Sequence, residues 1–297
     1  MDIKKVTIII LTAIIVLALA VFFIFKSETE ILEIEETVDQ EIIQEEASLI
    51  NKKNIGYSVE GREIEAYEFG GGDKKLLFVG GIHGGYEWNT VVLAYQMIDY
   101  FENNIDLVPT DVSISIIPSL NPDGVYDVIG VSGRFTALDV PKVVGEAGLG
   151  RFNSHGVDLN RNFDCKWSPE SNWRGNVVSA GEGPFSEPEA ATLRDYVYEK
   201  KPDAAVFWHS KANTVYASEC ENGILEQTLD IMNLYATAGQ YNSVEFFDAY
   251  PITGDVEGWL ASVGVPAITV ELETHETVEF DRNLAGVKSL IDYYSNI

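Results

Sequence analysis

Positive charge is what this chain has least of. Twenty Lys and Arg stand against 47 Asp and Glu over 297 residues, a formal net charge of −27. Nucleic-acid binding needs a clustered cationic face to displace counterions from phosphates, and such a deficit excludes it. Cysteine is equally sparse: Cys165 and Cys220 are too few for a disulfide-held mini-domain or a four-cysteine zinc ribbon. Histidine occurs four times, there is no internal repeat, and no glycine loop has phosphate-binding spacing. Core material is abundant. With 46% hydrophobic and 11% aromatic residues the chain is no acidic disordered polymer, and its length allows one large domain or two smaller ones.

A long hydrophobic run occurs once, at residues 6–25, with Thr7 and Thr12 its only polar members and Lys4, Lys5 and Lys26 flanking it. A helix of that length spans roughly 30 Å, the hydrocarbon thickness of a bilayer. Ala18-Leu19-Ala20 has the look of a signal-peptide cleavage site, but the apolar run continues past it to Phe25, longer than a signal peptide's core. The run therefore reads as an uncleaved transmembrane anchor, residues 1–26. Lys4 and Lys5 place the N-terminus in the cytoplasm and the rest of the chain on the extracytoplasmic side. Residues 27–50 carry nine acids and no base. Apolar residues at Ile31, Ile34, Val38, Ile42 and Leu49 permit a weak helical stalk, but like charges at helical spacing oppose it, and a flexible acidic spacer over 27–52 is the simpler reading. Residues 53–297 read as one globular domain.

Within that domain strands and helices alternate. Lys75 to Gly80, Val112 to Ile117, Ala204 to Trp208 and Ala267 to Leu272 are short apolar runs, read as buried strands. Helical periodicity covers Asn89 to Phe101, Pro188 to Lys200 with Ser186 as its cap, Gly223 to Ala238, and Asn283 to Tyr294. This alternation implies an α/β fold with a mostly parallel sheet flanked by helices, a class in which chemistry gathers where strands end.

Polar residues stand at those ends. His83 follows the first of these strands, with Glu87 four residues on; His209 follows the third. Two imidazoles and one carboxylate with a fourth position open to water form a catalytic zinc pattern.

Further motifs follow in order: Asn121-Pro122-Asp123-Gly124, Gly156-Val157-Asp158-Leu159-Asn160-Arg161-Asn162-Phe163, Pro184-Phe185-Ser186-Glu187-Pro188-Glu189, His209-Ser210, Tyr250 with Thr253-Gly254-Asp255, and Thr269-Val270-Glu271-Leu272. Together they resemble the zinc carboxypeptidases related to carboxypeptidase A, in their bacterial and archaeal form, from about residue 55 to 297. Three residues separate His83 from Glu87, where the family usually has two. Gly84 and Gly85 let the backbone absorb the extra one.

The resemblance implies one Zn²⁺ held by His83, Glu87 and His209, and a single layered domain with a mixed sheet. It implies Glu271 as general base, with Glu273 as rival, and Arg151 as the oxyanion-stabilising cation, with Arg134 as rival. Asn160 and Arg161 would hold the substrate's terminal carboxylate, and Tyr250 would close over it. Asp255 or Glu257 at the side-chain pocket would favour a basic residue, although Asp255 equally suits a helix cap. Cys165 and Cys220 are candidates for a disulfide; two free thiols are the alternative. His155 and His275 read as ordinary polar residues. The function implied is a membrane-anchored metallocarboxypeptidase acting on peptides with a free C-terminus. Alternatives are a cell-wall peptide amidase or endopeptidase, an N-acyl amino acid deacylase, and an inactive binding module.

Overall fold

The computed structural model describes residues 3, 17, 21–23, 25–26, 49–141 and 148–297. The chain divides into two compact units, Met1–Ser48 and Leu49–Ile297. The expected anchor at 6–25 and the acidic spacer lie largely outside the described residues. Among the described residues no helix is long and apolar enough to cross a membrane.

The second unit is built on an eight-stranded mixed sheet. Its strands are β1 (Ile50–Tyr57), β2 (Glu63–Phe69), β3 (Lys74–Val79), β4 (Val112–Ile117), β7 (Ala204–Ser210), β8 (Thr214–Ala217), β9 (Asn242–Val244) and β10 (Ala267–Leu272). The intervening β5 (Glu170–Trp173) and β6 (Asn176–Ser179) form a separate hairpin. The sheet order is β1-β2-β4-β3-β7-β10-β8-β9, parallel through the four central strands β4-β3-β7-β10. Strand β1 begins at Ile50, a few residues before the start read from composition, so Asn51 and Lys52 belong to the folded unit rather than to a spacer.

Helices α1 (Trp88–Glu102), α4 (Glu226–Gly239) and α6 (Phe280–Ser295) cover one face; α3 (Pro188–Lys200) and α5 (Val256–Ser262) cover the other, and α2 (Pro122–Ile129) follows β4. Side chains alternate between the two faces along a strand, so the central strands, covered on both, feed apolar residues to both cores, while β4 and β10 also carry half-buried Ser113, Ser115, Thr269 and Glu271. In β3, Leu76 and Phe78 enter the first core with Trp88 and Leu290, while Leu77 and Val79 enter the second with Leu193 and Trp259. In β7, Val206 and Trp208 face one layer, and Ala205 and Phe207 the other.

Local chemistry sets the boundaries. Helix α2 starts at the Asn121-Pro122 step, where Asn121 accepts from the Gly124 amide at 2.9 Å and Pro122 supplies a fixed φ, and it ends at Gly130 with φ 83°. Ser186 does not cap α3. The cap is Glu187, and the Ser186 hydroxyl is taken up by Asn162 and Glu187 instead. Helix α4 starts at Glu226 rather than Gly223, because Gly223 sits at φ 79° in a bridge with Cys220.

Candidate metal and active site

Three neighbouring parallel strands end at one place. The chain leaves β3 through Gly80 and Gly81 into His83, β7 ends on His209-Ser210, and β10 carries Glu271 beside His209 in register. After His83 a 3₁₀ turn, Gly84–Glu87, leads into α1. Gly84 has φ 48°, and a Cβ on Gly85 would lie 2.5 Å from Val128 Cβ, so this turn admits only glycines. The turn returns Glu87 to His83 despite the extra residue: His83 Nδ1 lies 2.9 Å from Glu87 Oε1, and His209 Nδ1 lies 3.2 Å from Glu87 Oε2.

His83, Glu87 and His209 are all buried, with donor atoms within 4.8 Å of one another. Their outer nitrogens are held by carboxylates. His83 Nε2 is 3.4 Å from Asp158 Oδ1, and His209 Nε2 is 3.3 Å from Glu257 Oε1. These are ion-pair separations longer than a well-formed hydrogen bond, and both Nε2 atoms and Glu87 Oε2 are buried without a hydrogen-bond partner. Two imidazoles backed by carboxylates and a third ligand carboxylate fit zinc. The three groups are also coupled through their charges. Burial disfavours the charge on Glu87, yet the two imidazoles hold it below the ordinary carboxylate range. Burial likewise opposes charge on His209, while Glu87 and Glu257 raise it well above its usual value.

Around this centre lies a cavity of about 640 Å³, lined by Glu271, Arg151, Asn160, Arg161, Tyr250, Asp255 and Glu257 among others. Glu271 is raised to about 8, first by burial and then by the charge of Glu87. Its Oε2 has no hydrogen-bond partner. Glu273 is not in the site: β10 ends at Leu272, and Glu273 is exposed beside Arg282. Arg151 is buried, donating Nε and Nη2 to Asp158 Oδ2 at 3.0 and 2.8 Å, with Nη1 3.8 Å from Glu87 and its plane 4.6 Å over the Trp173 ring. Arg134 instead pairs with Asp99 on the surface and stacks on Tyr95.

Arg161 is buried and donates to the carbonyls of Asn160 and Asn172; among the described residues no carboxylate lies within salt-bridge distance of it. Asn160 accepts from the Val256 amide at 2.8 Å and reaches Glu257 at 3.4 Å, so its side chain ties the Arg161 turn to α5. Tyr250 packs on Phe247 at 4.9 Å, and its hydroxyl has no hydrogen bond among the described residues. Asp255 caps α5, accepting from Gly258 at 2.8 Å, and also lines the cavity; burial, then the charge of Glu257, raises it to about 6. Glu257 is turned away from a pocket-base role and toward His209, with Thr269 donating to it at 2.9 Å. Cys165 and Cys220 are disulfide-bonded, Cα–Cα 6.0 Å, at the cavity edge.

Two residues outside the expected set, Asp158 and His275, and one expected in another role, Glu257, belong to this site. Asp158 holds both Arg151 and His83, and Glu257 backs His209. His275, read from sequence as an ordinary polar residue, lines the cavity with Nδ1 2.8 Å from Ser210 Oγ and its ring 4.8 Å from Tyr86. Burial lowers its pKa, and Lys211 and Arg174 lower it further against the opposing charge of Glu87.

A helix-flanked mixed sheet carrying a His-Glu-His metal triad at the ends of its central strands defines a class of zinc-dependent hydrolases. The chain belongs to the zinc carboxypeptidase family, whose model matches residues 36–283. It is 29% identical over 170 residues to carboxypeptidase B of Astacus astacus, covering 54% of this chain and 53% of that protein. It is 24% identical over 238 residues to gamma-D-glutamyl-L-diamino acid endopeptidase 1 of Lysinibacillus sphaericus, covering 73% and 59%. The chain thus spans about half to three-fifths of the length of these curated relatives. The structure of thrombin activatable fibrinolysis inhibitor superimposes with a TM-score of 0.67 at 17% identity, covering 87% of this chain and 75% of that one.

Proposed function

We propose that the protein is a zinc-dependent carboxypeptidase that releases C-terminal residues from peptides. One observation carries this reading: the triad, Glu271, Arg151 and an Arg161 with no carboxylate partner line a single cavity at one end of the sheet. His83, Glu87 and His209 would hold the zinc ion, which would supply a Lewis acid for the scissile carbonyl and an acidified water.

The chain's own groups do the rest. Arg161 takes the terminal carboxylate through its planar fork, with Asn160 fixing the turn that aims it. Tyr250, its hydroxyl free, donates to the bound chain end. Glu271 removes a proton from the attacking water and delivers it to the leaving amine. Arg151, immobilised by Asp158, presents a fixed positive charge to the developing oxyanion. Asp255 at the cavity wall disposes the pocket toward a basic or amine-bearing residue. The apolar run at 6–25 and its flanking lysines support an anchored protein with this unit on the extracytoplasmic side.

A second reading, cleavage of cell-wall peptides, draws support from the similarity to the Lysinibacillus endopeptidase over 73% of this chain. The test is to incubate the zinc-loaded protein with a mixed peptide library, with and without chelator, and to read the products by mass. Chelator-sensitive shortening by single C-terminal residues is expected; no shortening would sink the proposal.

A further inference from the structure

The cavity walls hold more positive charge than the chemistry above uses. Of the cations lining it, Arg151 is answered by Asp158, and Lys166 by Glu219 at 2.6 Å. Arg161 is reserved for a terminal carboxylate. Arg174 and Lys211 remain, and among the described residues neither has a carboxylate within salt-bridge distance. Both side chains are exposed where they line the cavity, so water solvates them in the free protein and they are placed to meet an anion from outside it.

Their placement says which part of a substrate they meet. Arg174 Nη1 lies 3.5 Å from the Tyr86 hydroxyl, Tyr86 packs on His275, and Ser210, just before Lys211, contacts His275 Nδ1. Tyr86 and Ser210 each adjoin a metal-triad residue, Glu87 and His209, so this wall begins at the triad. Arg161, by contrast, belongs with Asn160, Tyr250 and Asp255 near α5. A chain whose terminal carboxylate sits at Arg161 and whose scissile carbonyl sits at the triad continues toward the Tyr86, His275, Lys211 and Arg174 wall.

Backbone conformation gives an independent sign. Arg174 and Gly175 form the two-residue turn of the β5–β6 hairpin with φ 51° and 85°. Such turns favour Asn, Asp or Gly at the first position, and an arginine there is held at a conformational cost those residues would avoid. The turn thereby holds Arg174 at the cavity rim.

We propose that Arg174 and Lys211 form a carboxylate-binding subsite on the acyl side of the scissile bond, selecting peptides that carry an acidic group there. This rests on the carboxypeptidase reading above. The carboxylate has two chemical sources: the side chain of an α-linked acidic residue, or the free α-carboxylate of a γ-linked glutamyl residue.

Two peptide pairs separate them, one with Glu or Gln at the acyl-side position in α linkage, the other with γ-linked D-glutamate bearing its α-carboxylate or the corresponding amide. Zinc-loaded wild type is expected to favour the acid over the amide by about fivefold in kcat/KM in at least one pair, the scale set by two solvent-exposed ion pairs. The pair with the larger ratio identifies the source. In the double variant Arg174→Gly with Lys211→Gln, both substitutions compatible with the local backbone, the ratio falls to within about twofold, with thermal unfolding as the fold control. Equal rates within both pairs in wild type, or a ratio that survives in the variant, would overturn the subsite. If wild type cuts none of the four peptides, the carboxypeptidase reading fails. Calorimetric binding of the same pairs then decides the subsite separately, and equal affinity within each pair overturns it.

Discussion

Replacing Asp158 by asparagine preserves shape and removes one charge from beneath the active site. The wild-type carboxylate is fully buried and takes two hydrogen bonds from Arg151 at 3.0 and 2.8 Å, with its other oxygen 3.4 Å from His83 Nε2. Burial disfavours its charge, but Arg151, His83 and Arg161 hold it far below the ordinary carboxylate range, so it is ionised at any working pH. In Asp158→Asn the guanidinium of Arg151, 3% exposed, keeps only Glu87 at 3.8 Å as an anionic neighbour. Breaking a buried pair on one side costs about 3 to 5 kcal/mol. Loss of the carboxylate behind a metal-binding imidazole costs roughly 10- to 100-fold in metal affinity. Urea unfolding of the zinc-free protein reads the first quantity, and competition with a fluorescent zinc chelator reads the second. A stability loss below about 1 kcal/mol together with unchanged zinc affinity would refute the reasoning, because Arg151 and His83 would then be held by something else.

Glu271→Gln is expected to lower kcat by about 10²- to 10⁴-fold while zinc content and thermal midpoint stay close to wild type; retained turnover would remove Glu271 as the base. At the start of α2, Asp123 is fully buried, where burial disfavours its charge but Ser58 Oγ at 2.6 Å, the Glu60 amide at 3.0 Å and Arg62 at 2.7 Å outweigh it and lower its pKa. Its stabilisation is present above the unfolded value of about 3.9 and is lost as pH falls through the lower folded value. Asp123→Asn should therefore cost about 3 kcal/mol at pH 7, with the gap to wild type narrowing below about pH 4; an equal gap at pH 7 and pH 3 would contradict this.

The central strands were legible from sequence because apolar residues dominate them, in a run in β3 and β7 or alternating with half-buried polar ones in β4 and β10. Val112–Ile117 and Ala267–Leu272 have the same ends in sequence and structure. Strand β1, INKKNIGY, gave no such signal: it lies at the sheet edge with half of its residues exposed and none buried, so neither alternation nor an apolar run marks it. Strands β8 and β9 are too short to carry a period. In the site, residues at strand ends stood out because their position gives them a role. Asp158 did not, and Glu257 was read as a pocket residue rather than the partner of His209, since a carboxylate behind an imidazole is recognised only by distance, and the two come from a turn and a helix remote from the histidines in sequence. Arg174 and His275 were hidden for a related reason: each reaches the cavity from a loop whose path the sequence pattern does not encode. The Arg174-Gly175 step was itself a turn signal available to be read.

The central claim is that this cavity binds a chain end and cuts beside it with zinc. Its most direct test compares one peptide as the free acid and as the C-terminal amide, each incubated with the zinc-loaded protein and followed by mass spectrometry. The account predicts loss of one C-terminal residue from the free acid, abolished by chelator, and cleavage of the amide slower by about 100-fold or more, since Arg161 then has no carboxylate to hold. Equal cleavage of acid and amide, or cutting at an internal bond, would contradict it.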